Sequence, residues 1–273
     1  MATALPIPAS ARAQGAGRIS FEEPSGVAPG PMNVFLHRPA TWQPGGPVVV
    51  VMHGMDRNAA GYRDAWSAHA EAHGFLLICP EFSAAKFPGV RYFNYGNAQA
   101  AEAAWTFFAL DRAVGAVLAG LGAAPTAFAL YGHSAGAQFV HRYLLLTGAP
   151  HARRVIIANA GWYSWPSFGI GFPHGLGESA ATEAGLRAAL ARPVTILLGD
   201  QDTDPHHHQL RRDAETDRQG LHRFARGQNF FAAAQAVAAA SGTPFGWALD
   251  TVPGAAHTNA GMARAAADIL ARG

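Results

Sequence analysis

The stretch Tyr131-Gly132-His133-Ser134-Ala135-Gly136 decides the fold. It follows the apolar run Ala127 to Tyr131, which reads as a strand. It opens the segment Ala135 to Leu146, which reads as a helix with Phe139, Val140, Tyr143, Leu144 and Leu145 on its apolar face. Gly-x-Ser-x-Gly alone is weak, but between a strand and a helix it specifies a sharp elbow. In so tight a turn a Cβ at either flanking glycine would collide with neighbouring backbone. The turn lifts the Ser134 oxygen above the sheet edge and leaves the Ala135 N–H at a helix N-terminus.

On either side of this elbow, strand-like and helix-like segments alternate from about residue 47 to the end, the pattern of a parallel sheet with crossover helices. Val48-Val49-Val50-Val51-Met52 is a β-branched run of the kind buried on both faces. Met32 to Arg38 alternates and predicts an early antiparallel strand. Asn58 is placed to cap a helix running to His73, which Gly74 closes. Phe75 to Cys79 is the next strand, and a Pro-, Gly- and aromatic-rich loop (Phe82 to Asn97) leads to a long helix from about Ala101 to Leu121. Strands follow at Val155 to Ile157, Val194 to Leu198 and Phe245 to Val252, with helices at Thr182 to Ala191, Phe230 to Ala240 and Gly261 to Ala271. There is no internal repeat. The expected organisation is a flexible leader over residues 1–18 and one α/β domain over 19–273.

The bulk numbers exclude several classes. A chain of 273 residues, 49% hydrophobic and 14% charged, carries one large core. Net charge is only +2, and the densest basic cluster (Arg211, Arg212, Arg218, Arg223, Arg226) is interrupted by Asp213, Glu215 and Asp217. It reads as a solvated helical face with paired charges, so no nucleic-acid partner is expected. Cys79, the one cysteine, sits in an apolar run and reads as a buried inert thiol. No apolar run approaches the ~20 residues that span a membrane. Ala11-Arg12-Ala13 has the small-x-small form of a signal-peptide cleavage site, but no basic residue precedes it. Secretion or a periplasmic location is expected if residues 1–13 are a truncated signal peptide, and a cytoplasmic one otherwise.

A serine hydroxyl becomes a nucleophile only when a base takes its proton. His257 is the candidate base, because it occupies the loop between the last expected strand and the final helix. The acid is expected in the loop after Val194 to Leu198, where Asp200, Asp202 and Asp204 offer three carboxylates. Asp202 is favoured and Asp200 is second. A buried carboxylate on the imidazole fixes its tautomer and stabilises the imidazolium. A second oxyanion donor beside the Ala135 N–H is expected from His53-Gly54-Met55-Asp56-Arg57-Asn58, with the backbone N–H of Met55 as candidate; Asp56 and Arg57 read as a surface pair. Trp162 and Tyr163, in the irregular stretch Gly161 to Gly177, either wall a substrate pocket or plug the strand-to-helix connection. His206-His207-His208 reads as an exposed loop, not a metal site, because adjacent extended side chains diverge. The patterned segment Arg218 to Gly227 either orders the loop holding Asp202 or contacts an acidic substrate.

Together, His53-Gly54-Met55, Gly132-His133-Ser134-Ala135-Gly136, Gly199-x-x-Asp202 and His257 resemble the α/β-hydrolase superfamily, whose chain order Ser, Asp, His they share. Within it the sequence is similar to bacterial polyhydroxybutyrate-depolymerase-like and feruloyl-esterase-like hydrolases. The resemblance implies a mostly parallel sheet of about eight strands with helices on both faces and a short or absent lid. It implies hydrolysis of carboxylic esters, small or oligomeric, through a Ser-His-Asp triad and an acyl-enzyme, with no cofactor and no metal. Polymer-active members often carry extra substrate-binding modules, and the expectation is that this chain has none. The same triad acting on amides or thioesters or in acyl transfer is the alternative, and a non-catalytic binding protein on this scaffold a remote one.

Overall fold

The structure is a computed structural model and describes residues 14–272. Among the described residues, eight strands form one sheet: β1 (Gly15–Glu23), β2 (Gly30–Arg38), β3 (Val48–Met52), β4 (Leu76–Pro80), β5 (Phe128–His133), β6 (Ala152–Ala158), β7 (Val194–Gly199) and β8 (Trp247–Val252). Their order is β1-β2-β4-β3-β5-β6-β7-β8. β1 pairs antiparallel with β2, and β2 antiparallel with β4; every other neighbour is parallel.

The helices are α1 (Ala59–His73), α2 (Gly89–Tyr92), α3 (Phe108–Gly120), α4 (Ala135–Thr147), α5 (Glu183–Leu190), α6 (Ala214–Gln219), α7 (Arg223–Ala240) and α8 (Asn259–Ala271). α1 and α8 cover one face; α3, α4, α5 and α7 cover the other. The period of two along β3 divides its side chains between the two cores, Val48, Val50 and Met52 on one side, Val49 and Val51 on the other. Both faces of the central strands are thus dry, which explains their unbroken apolar runs. The Asn58 side chain accepts from Gly61 N–H, and Gly74 closes α1 at φ 67°, as the sequence predicts.

Three expectations are corrected. The sheet begins at Gly15, inside the expected leader of residues 1–18, whose first thirteen residues, with the Ala11-Arg12-Ala13 motif, lie outside the described residues. The helix expected from Ala101 starts at Phe108, after a 3₁₀ turn at Glu102–Ala104. Thr106 breaks the run: its N–H binds Gly96 O and its hydroxyl binds Tyr92 O. The helix expected from Phe230 starts seven residues earlier, about two turns, at Arg223, with His222 as its N-cap. Arg223 and Arg226 are therefore not on a solvated face; they are 1% and 0% exposed. Among the described residues, no helix is long and apolar enough to cross a membrane.

Candidate active site

The elbow is built by steric exclusion. Ser134 has φ 56° and ψ −115°, a left-handed backbone that an L-residue adopts only under strain. A Cβ on Gly132 would lie 2.5 Å from Gly136 O, and one on Gly136 would lie 2.4 Å from Met52 O. Both glycines let β5, α4 and β3 approach closely enough to hold the turn. The Ser134 N–H is anchored to Ala158 O at 3.0 Å. Its hydroxyl then stands at the carboxyl edge of the sheet, where open α/β folds place their ligands.

Two loops from the next strands meet that hydroxyl. His257 Nε2 lies 3.0 Å from Ser134 Oγ, and His257 Nδ1 lies 2.7 Å from Asp202 Oδ2. The three residues that sequence reasoning put in distant loops are in one hydrogen-bonded line. The loops are locked to each other: a Cβ on Gly199 would meet Ala255 O at 2.4 Å, and the Gln201 N–H donates to Ala255 O at 3.0 Å. The competing carboxylates have other work. Asp200 Oδ1 accepts from Gly254 N–H and caps the histidine loop, while Asp204 Oδ1 accepts from His206 N–H.

Asp202 is 3% exposed and has, besides His257, a charged neighbour that the sequence does not assign to it. Arg223 Nη1 lies 3.5 Å from Asp202 Oδ1, its Nη2 lies 3.3 Å from His207 Nδ1, and the Phe224 N–H donates to Asp202 O. The adjacent Arg226 donates to the carbonyls of Gly220, Gly161 and Arg211. Of the two readings offered for the Arg218 to Gly227 segment, ordering the Asp202 loop is what these contacts do. Burial holds the His257 imidazole below the ordinary histidine value; its hydrogen bond to Asp202 opposes that effect and the charge of Arg223 adds to it. The ring is therefore neutral at pH 7 and able to accept a proton.

On the opposite side of Ser134, Gly54 and Met55 form the lip of the cleft. The loop is held by His53, whose Nδ1 bonds Gly54 O and whose Nε2 accepts from Phe82 N–H. Burial lowers this histidine to about 4, so it stays neutral in that role. The Ala135 N–H, at the first residue of α4, has no intrahelical acceptor. The turn closed by Arg57 N–H on Gly54 O leaves the Met55 N–H outside it. Asp56 and Arg57 do not pair: the guanidinium reaches Phe82 O and Gly89 O over the Phe93 ring, and Asp56 accepts from Gln209 Nε2.

Trp162 and Tyr163 do not line the cleft that opens at Ser134. Tyr163 is fully buried, stacked on Phe230 at 4.3 Å, and its backbone is clasped by the Gln219 amide. Trp162 is 3% exposed and lies under the guanidinium of Arg142 and against His174. They plug the connection after β6. His206 and His208 are exposed, while half-buried His207 leans its edge on His257. The cleft, about 190 Å³, is walled instead by Tyr62, His133, Gln209 and Asn259 beside Ser134 and His257. None of these four carries a strand or helix signature that marks it in sequence, except that His133 lies inside the elbow motif.

Sheet order, elbow and the Ser134–His257–Asp202 line define an α/β-hydrolase. No family model matches the sequence, and no curated protein does. Among solved structures, the chain is 39% identical to poly(aspartic acid) hydrolase-1 from Sphingomonas sp. KT-1, with a TM-score of 0.88 over 94% of this chain and 98% of that one. It is 37% identical to the poly(3-hydroxybutyrate) depolymerase LpqC from Bordetella parapertussis, with a TM-score of 0.89 over 95% of this chain and 90% of that one. An S-formylglutathione hydrolase from Agrobacterium tumefaciens, 14% identical at a TM-score of 0.59 over 93% and 92% of the two chains, shares the fold. The chain belongs to the α/β-hydrolase superfamily, in the group of the first two proteins, and is a hydrolase.

Proposed function

We propose that this protein hydrolyses carboxylic esters through an acyl-enzyme on Ser134. His257 removes the Ser134 proton as the oxygen attacks the ester carbonyl, and Asp202 holds the ring's tautomer and stabilises the imidazolium. The N–H groups of Ala135 and Met55 bind the oxyanion, each contributing about 3 kcal/mol to the transition state when aligned. His257 then protonates the leaving alcohol. Water attacks the acyl-enzyme with His257 again as base, releasing the acid and restoring Ser134. The observation that carries this reading is the unbroken line Ser134 Oγ to His257 Nε2 at 3.0 Å and His257 Nδ1 to Asp202 Oδ2 at 2.7 Å.

Amide cleavage is the second reading, favoured by the relative that acts on poly(aspartic acid), a chain of amide bonds. A panel of p-nitrophenyl esters, matched anilides and acyl-CoAs separates the possibilities. Ester turnover above the others, abolished in Ser134→Ala, is the expected result. Anilide turnover above ester turnover would replace the ester reading with the amide one.

A further inference from the structure

Resting on the triad reading, we propose that His207 is a positioning residue, which holds Arg223 short of a bidentate pair with Asp202 and so leaves that carboxylate to His257. His207 lies in the loop between β7 and α6, half-buried, and leans its edge on the His257 ring with centroids 5.3 Å apart at 73°. Its Nδ1 accepts from Arg223 Nη2 at 3.3 Å and from the Gln209 N–H at 3.2 Å. A guanidinium and a backbone amide only donate. Nδ1 is therefore the bare nitrogen, and the neutral ring carries its proton on Nε2.

The Arg223 guanidinium is buried, and among the described residues its acceptors are Asp202 Oδ1 and His207 Nδ1, while its Nε has none. Its 3.5 Å contact with Asp202 is longer than the ~2.7–2.9 Å of a charge-assisted hydrogen bond. His257 Nδ1, by contrast, reaches the other carboxylate oxygen at 2.7 Å. A bidentate pair needs two guanidinium nitrogens on both carboxylate oxygens. Here Nη2 is taken by His207, and Oδ2 is the oxygen that His257 uses. Without the His207 acceptor, a buried N–H is left unpaired beside a buried carboxylate, and both hydrogen bonding and Coulomb attraction drive the guanidinium onto Asp202. The carboxylate then stabilises the imidazolium less. The charged and titratable groups facing His207 are Arg223 from α7, His257 from the loop after β8, its neighbour His208, and Asp202. Burial and then Arg223 hold it below the ordinary histidine value, so it stays neutral in this role.

The rate of Ser134 labelling by an alkyl fluorophosphonate, followed against pH, tests this in wild type, His207→Leu, His207→Asn, Arg223→Met and the His207→Leu/Arg223→Met double variant. Urea melts confine the comparison to folded protein, and p-nitrophenyl acetate turnover is measured on the same samples. In His207→Leu the acid limb should move to lower pH by about half a pH unit or more, and the plateau rate should fall about tenfold. In His207→Asn the Oδ1 stands where Nδ1 stood and does not titrate. That variant should keep the wild-type limb and a plateau within about threefold of wild type. In the Arg223→Met background, His207→Leu should move neither limb nor plateau, because the charge it would release is gone. A limb that stays or rises in His207→Leu, an Asn variant no better than Leu, or an undiminished loss without Arg223 would overturn the assignment. Wild type that labels at Ser134 but turns over no ester loses the ester reading alone, and the labelling rates still decide on His207. Wild type that does not label loses both.

Discussion

The elbow at Ser134 and the arm that carries Asp202 belong to one rim but are built by opposite means. The elbow is made by absence: at Gly132 and Gly136 no side chain fits, and backbone packs on backbone. The arm, from Gly199 through α6 into α7, is made by long side chains reaching inward. Arg223 closes on Asp202 and His207, and Arg226 draws the carbonyls of Gly161, Arg211 and Gly220 around its guanidinium. The first device is local and rigid by sterics. The second is long-range, and it places charge behind Asp202 as well as holding it.

That contrast can be broken most severely at the elbow. In Gly136→Ala the new methyl meets Met52 O and His53 O at 2.4 and 2.5 Å, and backbone has nowhere to yield. Ester turnover should fall at least about a thousandfold, with stability reduced by about 3 kcal/mol or more in a urea melt. On the arm, Arg226→Met removes donors from three carbonyls; at about 1–3 kcal/mol for a buried group left unpaired, a loss near 3 kcal/mol is expected by the same melt. Near-wild-type stability there would show the arm to be held by its backbone.

Arg223→Met sharpens the comparison electrostatically. In the proposed reaction His257 acts as base only when neutral, so kcat/KM should fall as pH drops through its pKa, which lies below the usual 6.5. The groups facing the ring are Asp202 from the acid loop, His207 and His208 beyond it, Arg223 from α7 and His133 from the elbow. Removing the positive Arg223 stabilises the imidazolium, so the acid limb should move to higher pH, with the loss of kcat/KM concentrated on the acid side of the profile. An unmoved limb would confine Arg223 to packing. At the small end, Arg218 is 70% exposed and pairs with Glu215 in water; Arg218→Ala should change stability by less than about 0.5 kcal/mol.

The same contrast explains what was legible in sequence. Steric and periodic signals are local, so the elbow, the apolar runs of β3 to β7, the Asn58 and Gly74 caps and the positions of His257 and Asp202 could be read from neighbouring letters. β1 could not, because it is an edge strand burying only Ile19 and Glu23 and otherwise showing polar or half-exposed side chains. The first turns of α7 were missed because their buried face carries Arg223 and Arg226, which a hydrophobic pattern counts as solvent-facing. Trp162 and Tyr163 were expected in the pocket or in the connection. What decides for the connection is the grip of Gln219, 56 residues away, on the backbone of Tyr163.

The most direct test of the account is where a fluorophosphonate probe bonds. Peptide mapping after labelling at pH 7 should find the phosphonyl adduct on Ser134, with no adduct in Ser134→Ala and a labelling rate at least about a hundredfold lower in His257→Ala. An adduct on another residue, or labelling that persists at full rate without Ser134, would contradict it.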